Sequence, residues 1–316
     1  MNARFSIILA AALFFFPGAP SAPAGQTSLL PPAAEQRVDA LVQAKLEAYD
    51  SLNVGLIRDG KIVLVKAYGE GRLDGEYQYG SVSKPLTSTI ILMLRRRGLI
   101  KSLDDNLWDY LPDLKEAMPE AYKGSLLTLR HLLTHMSGIP HNDEPPLIEG
   151  KFNLKFRPGA EHRYSTPGYG FLGRVIEAVA GMKYSDAVRI YLGKPVKAES
   201  LHALDSFIAP GAFVVSTIED MARVALGMMT GEYLPVEVLT REAWQPVSNG
   251  YGLGWSVENV GTPEMTAFHG GSNGLPHAYF LLKPGKKTGV VVLGTAKSYN
   301  RSEVGPLAQS LLELLK

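Results

Sequence analysis

The sequence predicts an α/β fold of the α+β kind: an antiparallel sheet flanked by N- and C-terminal helices, with a mostly helical lobe inserted into it. Three observations carry this. Near the start, Asn53-Val54-Gly55-Leu56-Ile57-Arg58 and Lys61-Ile62-Val63-Leu64-Val65-Lys66 flank Asp59-Gly60, a two-residue turn of the kind that closes a β-hairpin. From Ser81 to about Leu201 the pattern turns mostly helical, with long connections rich in Pro and Gly. Strands then return at Tyr251 to Val257, Met265 to His269, His277 to Leu282 and Thr288 to Leu293, each rich in aromatic or β-branched residues and separated by Gly, Pro and Asn.

Along the chain, Arg4, the apolar run Phe5 to Phe16 and the small residues Ala22-Pro23-Ala24 read as an export signal over residues 1–24. The apolar run is shorter than the ~20 residues a spanning helix needs, and Pro17-Gly18 ends it, so no stable membrane span is expected once the signal is cleaved. The expected destination is the periplasm or the medium. A Pro/Ala-rich linker, 25–34, precedes an amphipathic helix from Glu35 to Tyr49 with Val38, Leu41, Val42 and Leu46 on one face. Later, a helix is expected to start near Ser216-Thr217-Ile218-Glu219, a capping-box pattern, and a last helix spans Val304 to Leu315. The remainder, 35–316, reads as one domain: 35–80 and about 202–316 form the sheet lobe, 81–201 the helical lobe.

Composition excludes several classes of function. At 316 residues with net charge +1, basic and acidic residues spread evenly and no cysteine, the chain has no footprint for nucleic acid, no disulfides and no thiol chemistry. A small-molecule or peptide-like substrate fits best; the oligomeric state is not encoded in any feature of the sequence.

The chemistry centres on Gly80-Ser81-Val82-Ser83-Lys84-Pro85, which runs into the apolar Ile90-Ile91-Leu92-Met93-Leu94. Residues three apart face each other on a helix, so the Lys84 amine can reach the Ser81 hydroxyl and take its proton. A helix start also presents free N–H groups and partial positive charge to an oxyanion forming beside Ser81. Pro85 is tolerated in a first turn, and Arg95-Arg96-Arg97-Gly98 suits the helix's other end. Two further stretches supply partners: Tyr164, in Arg163-Tyr164-Ser165-Thr166-Pro167-Gly168, on a loop before a helix expected near Gly170, and Phe268-His269-Gly270-Gly271-Ser272 at a strand end whose small residues permit close backbone approach.

With these in place the chain resembles the serine β-lactamase and penicillin-binding protein superfamily, in the branch of class C β-lactamases, D-aminopeptidases, DD-carboxypeptidases and related esterases. Gly80 to Lys84 is similar to its first motif, Tyr164-Ser165-Thr166 to its second and His269-Gly270-Gly271 to its third. Two further stretches, Leu132-Leu133-Thr134-His135-Met136-Ser137-Gly138 and Gly211-Ala212-Phe213-Val214-Val215-Ser216-Thr217, resemble segments that recur without doing chemistry. The resemblance implies a serine hydrolase that works without metal or organic cofactor. Ser81 is acylated by an ester or amide, and Lys84 and Tyr164 exchange its proton. The backbone N–H groups of Ser81 and Ser272 hold the oxyanion, and Thr166, His269, Gly270 and Gly271 contact substrate. Thr166 stands where the second motif usually has Asn, and His269 where β-lactamases have Lys, so peptidase or esterase activity is favoured over true β-lactamase activity. Thr166 also fits a helix-capping role.

Three rivals compete. Gly270-Gly271-Ser272-Asn273-Gly274 fits a nucleophile elbow with Ser272 as nucleophile, but the strand-like run after Leu275-Pro276 replaces the helix an elbow requires. His131, His135 and His141, with Asp143 and Glu144 near, suggest a metallohydrolase, but no glutamate follows His131. A non-catalytic peptidoglycan- or peptide-binding protein of the same fold is the third.

Overall fold

The computed structural model describes residues 27–299 and 302–315; the export-signal segment lies outside them. Its main sheet has seven antiparallel strands: β1 (Thr27–Ser28), β2 (Tyr49–Arg58), β3 (Lys61–Gly69), β4 (Ser256–Glu258), β5 (Thr266–Ser272), β6 (Pro276–Lys283) and β7 (Thr288–Ala296), ordered β1-β3-β2-β7-β6-β5-β4. The hairpin forms where expected: Arg58 pairs with Lys61, and Asp59 and Gly60 both take the left-handed conformation that a two-residue turn of matching twist demands.

The central strands are apolar on both faces because both are covered. Leu52, Val54 and Leu56 of β2 and Val290 and Val292 of β7 pack under the N-terminal helix α1 (Pro32–Gln43) and the C-terminal helix, which runs Val304–Leu314. Ile57, Val291 and Leu293 point the other way, into a larger core shared with the inserted lobe and the helix Ile218–Thr230. Since side chains alternate along a strand, β5 sends Ala267, His269 and Gly271 toward the lobe. Phe268, Gly270 and Ser272 face the C-terminal helix.

Within the lobe, helix α2 (Ser83–Arg96) is buried from Ser83 to Leu94, and its polar side chains tie it to surrounding loops. Ser83 Oγ donates to Gly80 O at 2.7 Å, Thr87 Oγ1 donates to Pro210 O at 2.6 Å, and Ser88 Oγ donates to Leu253 O at 2.6 Å. Helix α4 (Thr166–Ala180) packs beside it, and α3 (Leu129–Leu133) packs against α4. Among the described residues no helix is long and apolar enough to cross a membrane.

Several boundaries differ from expectation. The first helix stops at Gln43, because Tyr49 opens β2 and pairs with Ala296. The described part of the expected linker carries structure: Thr27 and Ser28 pair with Val65 and Leu64 as an edge strand, and α1 already opens at Pro32. The later helix is capped by Thr217, whose hydroxyl accepts from Asp220 N, while Ser216 ends a short strand. The run before β4 is irregular from Tyr251 to Trp255, where Gly254 is held left-handed against α2. Between α2 and α4 the Pro- and Gly-rich chain makes short 3₁₀ turns, one pairing of two short strands and only the one-turn α3, so the lobe is less helical than its periodicity suggests.

Candidate active site

Ser81 sits in the turn Gly80–Val82 that leads into α2, and Lys84 one turn later faces it: Lys84 Nζ is 3.1 Å from Ser81 Oγ. The amine also donates to Gly211 O at 2.7 Å and to Thr166 Oγ1 at 3.3 Å. All three partners are uncharged and the side chain is completely buried. Desolvation therefore pushes the Lys84 pKa well below its ordinary value, since an ammonium here would lose water and gain no countercharge. With its protons spent on Gly211 and Thr166, a neutral amine keeps its lone pair for the Ser81 hydroxyl.

Tyr164 lies on the loop just before α4, its ring centroid 4.6 Å from Lys84 Nζ. Burial pushes its phenol up, with the contact to the Ser81 hydroxyl working against that shift, so Tyr164 rests protonated. Helix α4 begins at Thr166, four residues before the expected start, because Ser165 caps it: its Oγ accepts from Gly168 N at 3.1 Å. The cap is thus Ser165 and not Thr166, whose hydroxyl is left for Lys84.

The Ser81 and Ser272 N–H groups, expected to hold an oxyanion, are brought together by two glycines. Gly80 takes φ +54°, a conformation natural to glycine, and a Cβ there would stand 2.6 Å from Ser272 N. A Cβ on Gly271 would stand 2.1 Å from Tyr79 O and 3.0 Å from Ser81 N. Strand β5 therefore lies directly against the turn carrying Ser81, with the Ser81 and Ser272 N–H groups at that junction. Strand β4 pairs with β5 only as far as Phe268, so this edge stays unpaired from His269 to Ser272 and can receive an extended substrate.

His269 lies on the site face but is buried, and both ring nitrogens are engaged: Nδ1 is 2.6 Å from Gly270 O, and Nε2 is 3.0 Å from Tyr251 OH. Desolvation, with the nearby Lys84 adding to it, pushes its pKa down to about 3. With both nitrogens engaged, the ring presents no free N–H to a substrate. Gly270 points away from the site, toward the Tyr279 ring; of the third motif, Gly271 and the Ser272 N–H meet Ser81.

Four further groups line the site; sequence reasoning weighed His135 and His141 only as metal ligands and assigned no role to the Gly211 carbonyl or Tyr251. The Gly211 carbonyl, in a stretch read as doing no chemistry, holds Lys84. His135, at φ +59° and fully buried, accepts from Ser165 N at 3.1 Å, with its ring centroid 4.2 Å from that of Tyr164. His141 accepts from Thr166 N at 3.4 Å. Tyr251 bonds His269. Their spacing in sequence carries no signal, because they arrive from three separate connections, with His135 and His141 together on the one after α3.

The rivals do not find their geometry. Ser272 is followed by a hairpin into β6, with no helix after it. Among the described residues no cluster of three or more His, Cys, Asp or Glu could hold a metal ion; His131 instead accepts from Thr128 N at the start of α3.

The chain is similar to Protein flp of Staphylococcus aureus (strain MRSA252), 23% identical over 323 residues covering 84% of this chain and 63% of that protein. It therefore spans less than two thirds of the length of that relative. It is also similar to Beta-lactamase-like protein 4 of Dictyostelium discoideum, 30% identical over 174 residues, 46% of this chain and 31% of that protein. Among solved structures, an octameric penicillin-binding protein homologue from Pyrococcus abyssi matches with TM-score 0.77 and 21% identity over 89% of this chain and 77% of that one. A class C β-lactamase matches with TM-score 0.76 and 18% identity over 90% and 97%. A β-lactamase/D-alanine carboxypeptidase from Yersinia pestis matches with TM-score 0.72 and 20% identity over 90% and 99%. These likenesses share the fold, and the Beta-lactamase family profile matches residues 38–312, so the chain belongs to the β-lactamase family.

Proposed function

We propose that the protein is an exported serine hydrolase that cleaves an ester or amide through an acyl-Ser81 intermediate. The observation that carries this is the buried Lys84 amine, uncharged in its surroundings and 3.1 Å from Ser81 Oγ. A lysine held neutral beside a hydroxyl is a ready base, whereas a structural lysine would be exposed or paired with an acid.

In the proposed cycle Ser81 Oγ attacks the substrate carbonyl while its proton passes to Lys84 Nζ. The carbonyl oxygen gains the negative charge and takes hydrogen bonds from Ser81 N–H and Ser272 N–H. Collapse of the tetrahedral species expels the leaving group. Tyr164, protonated at rest, donates to that group and is reprotonated from Lys84. Water then attacks the acyl carbonyl and gives its proton to Lys84; the bond from Ser81 Oγ to the acyl carbon breaks as that proton returns to Ser81 Oγ, releasing the acid and restoring the resting state. Lys84 is the resting base and Tyr164 the resting acid, because burial drives their pKa values in opposite directions.

Thr166 supports peptidase or esterase chemistry over β-lactam turnover: its short hydroxyl is spent on Lys84, leaving no amide to grip a substrate amide group.

Hydrolysis of a short-chain p-nitrophenyl ester by wild type and Ser81→Ala tests the proposal. Activity lost in the variant is expected; activity retained would remove Ser81 as nucleophile. No turnover in either, together with tight peptide binding, would favour the non-catalytic reading. Export is tested by N-terminal sequencing of the mature chain from a periplasmic or culture-medium fraction, with cleavage expected near Ala24.

A further inference from the structure

If the site works as just proposed, its leaving-group side runs between Tyr164, the proton donor to that group, and His269, whose ring centroid lies 6.4 Å from that of Tyr164. His269 is two residues before Gly271 on the same face of β5, so a substrate lying along the unpaired edge of that strand passes it after leaving the oxyanion junction.

What the substrate meets there follows from donors and acceptors. The Gly270 carbonyl can only accept, so His269 Nδ1 carries a proton and donates it at 2.6 Å. Nε2 is then the bare nitrogen and accepts the Tyr251 hydroxyl at 3.0 Å. No N–H of the ring remains for an incoming carboxylate. Protonating the ring would not supply one, because the added proton would lie on Nε2 between it and Tyr251. The other groups around His269 are the Tyr164 and Tyr251 phenols, His135 and Lys84. The phenols and His135 carry no charge at neutral pH, and the Lys84 amine is committed to Ser81, Thr166 and Gly211. An anion brought here loses its water without a cation to replace it.

We infer that the site selects substrates whose leaving group is uncharged where it passes His269, and discriminates against those carrying a carboxylate at that point, with the Tyr251–His269 hydrogen bond as the element that sets this specificity. The ligand class is a neutral ester or amide, in contrast to a peptide with a free C-terminus or a carboxylate-bearing β-lactam.

The test uses a matched pair of phenyl acetates, one carrying a meta carboxylate and one with that carboxylate capped as its methyl ester, so that the reacting carbonyl is the same. Wild-type kcat/KM for the capped ester is expected to exceed that for the charged ester at least ~10-fold, after dividing by their uncatalysed rates. The ratio should stay flat from about pH 5 to about pH 8, the range in which a free histidine would gain its charge. His269→Lys should shrink the ratio mainly by lowering KM for the charged ester; the two wild-type measurements stand whether or not that variant folds. Equal or faster cleavage of the charged ester, or a preference that collapses toward pH 5, would overturn the inference while leaving the hydrolase reading intact. Cleavage of both esters surviving in Ser81→Ala would overturn the hydrolase reading, and this inference with it.

Discussion

Gly271→Ala is the perturbation whose consequence can be worked most fully from the geometry. The added methyl carbon would stand 2.1 Å from Tyr79 O, against an ordinary contact of about 3.4 Å, so β5 and the Ser81 turn must separate by about 1.3 Å. A hydrogen bond of about 2.9 Å from Ser272 N–H to the oxyanion would open to roughly 4.2 Å, which is no longer a bond. Loss of one oxyanion donor costs about 10²–10³ in kcat. Because the donor acts chiefly in the transition state, KM should change little. The overpacking should destabilise the fold by about 1–3 kcal/mol, leaving a folded protein to assay. Gly270→Ala is the comparison: on the same strand its methyl carbon points the other way and reaches the Tyr279 ring at an ordinary 3.5 Å. Its loss of kcat should be at least ten times smaller than that of Gly271→Ala. The assay is steady-state ester hydrolysis with thermal melts of both variants. A folded Gly271→Ala enzyme with wild-type kcat would refute the placement of the oxyanion hole between β5 and the Ser81 turn.

Other variants probe the remaining parts. Lys84→Met should lower kcat/KM at least ~10²-fold as the base is lost. It should melt no lower than wild type at neutral pH: the unfolded lysine binds a proton below about 10.5 that the native amine refuses, so burial of Lys84 opposes folding there. A clear drop in melting temperature would contradict the uncharged amine. Tyr164→Phe should also cost at least ~10²-fold, more for poor leaving groups than for p-nitrophenolate, which needs no proton; equal loss for both would argue against Tyr164 as the acid. The pH–rate profile should show its acid limb below the ordinary lysine range, activity falling as pH drops through the depressed Lys84 pKa and holding level above it. A rate that climbs steadily toward about pH 10 would mean an unperturbed lysine. Ser165→Ala removes the cap of α4 and a bond to Pro140 O at 2.9 Å, and should cost about 1 kcal/mol of stability by denaturant melts.

How much was legible in the chain depended on whether the signal was local. The β2–β3 hairpin was readable because Asp59-Gly60 and its flanking strands are contiguous, and Ser81 with Lys84 because one helical turn joins them. The order of strands and helices sufficed for the layered fold. Boundaries slipped where tertiary packing overrode pattern: Leu46 continues a helical stripe, yet the strand opening at Tyr49 ends the helix before it. The caps fell on neighbouring hydroxyls, Thr217 in place of the expected Ser216, and Ser165 where Thr166 had been one option, since adjacent hydroxyls look alike until the backbone chooses. His269 was singled out by its motif, but its commitment to Tyr251 depends on an irregular loop eighteen residues earlier that no periodicity marks. The same holds for Gly211, whose role belongs to its carbonyl and so leaves no trace in side-chain chemistry.

The most direct test of the central claim is to trap the acyl-enzyme. Intact mass spectrometry of the protein quenched during turnover of a slow ester, followed by peptide mapping, should show one acyl group on the peptide carrying Ser81 and none in Ser81→Ala. Acylation of Ser272 or any other residue, or turnover with no adduct on Ser81 under conditions where deacylation is slow, would contradict the account.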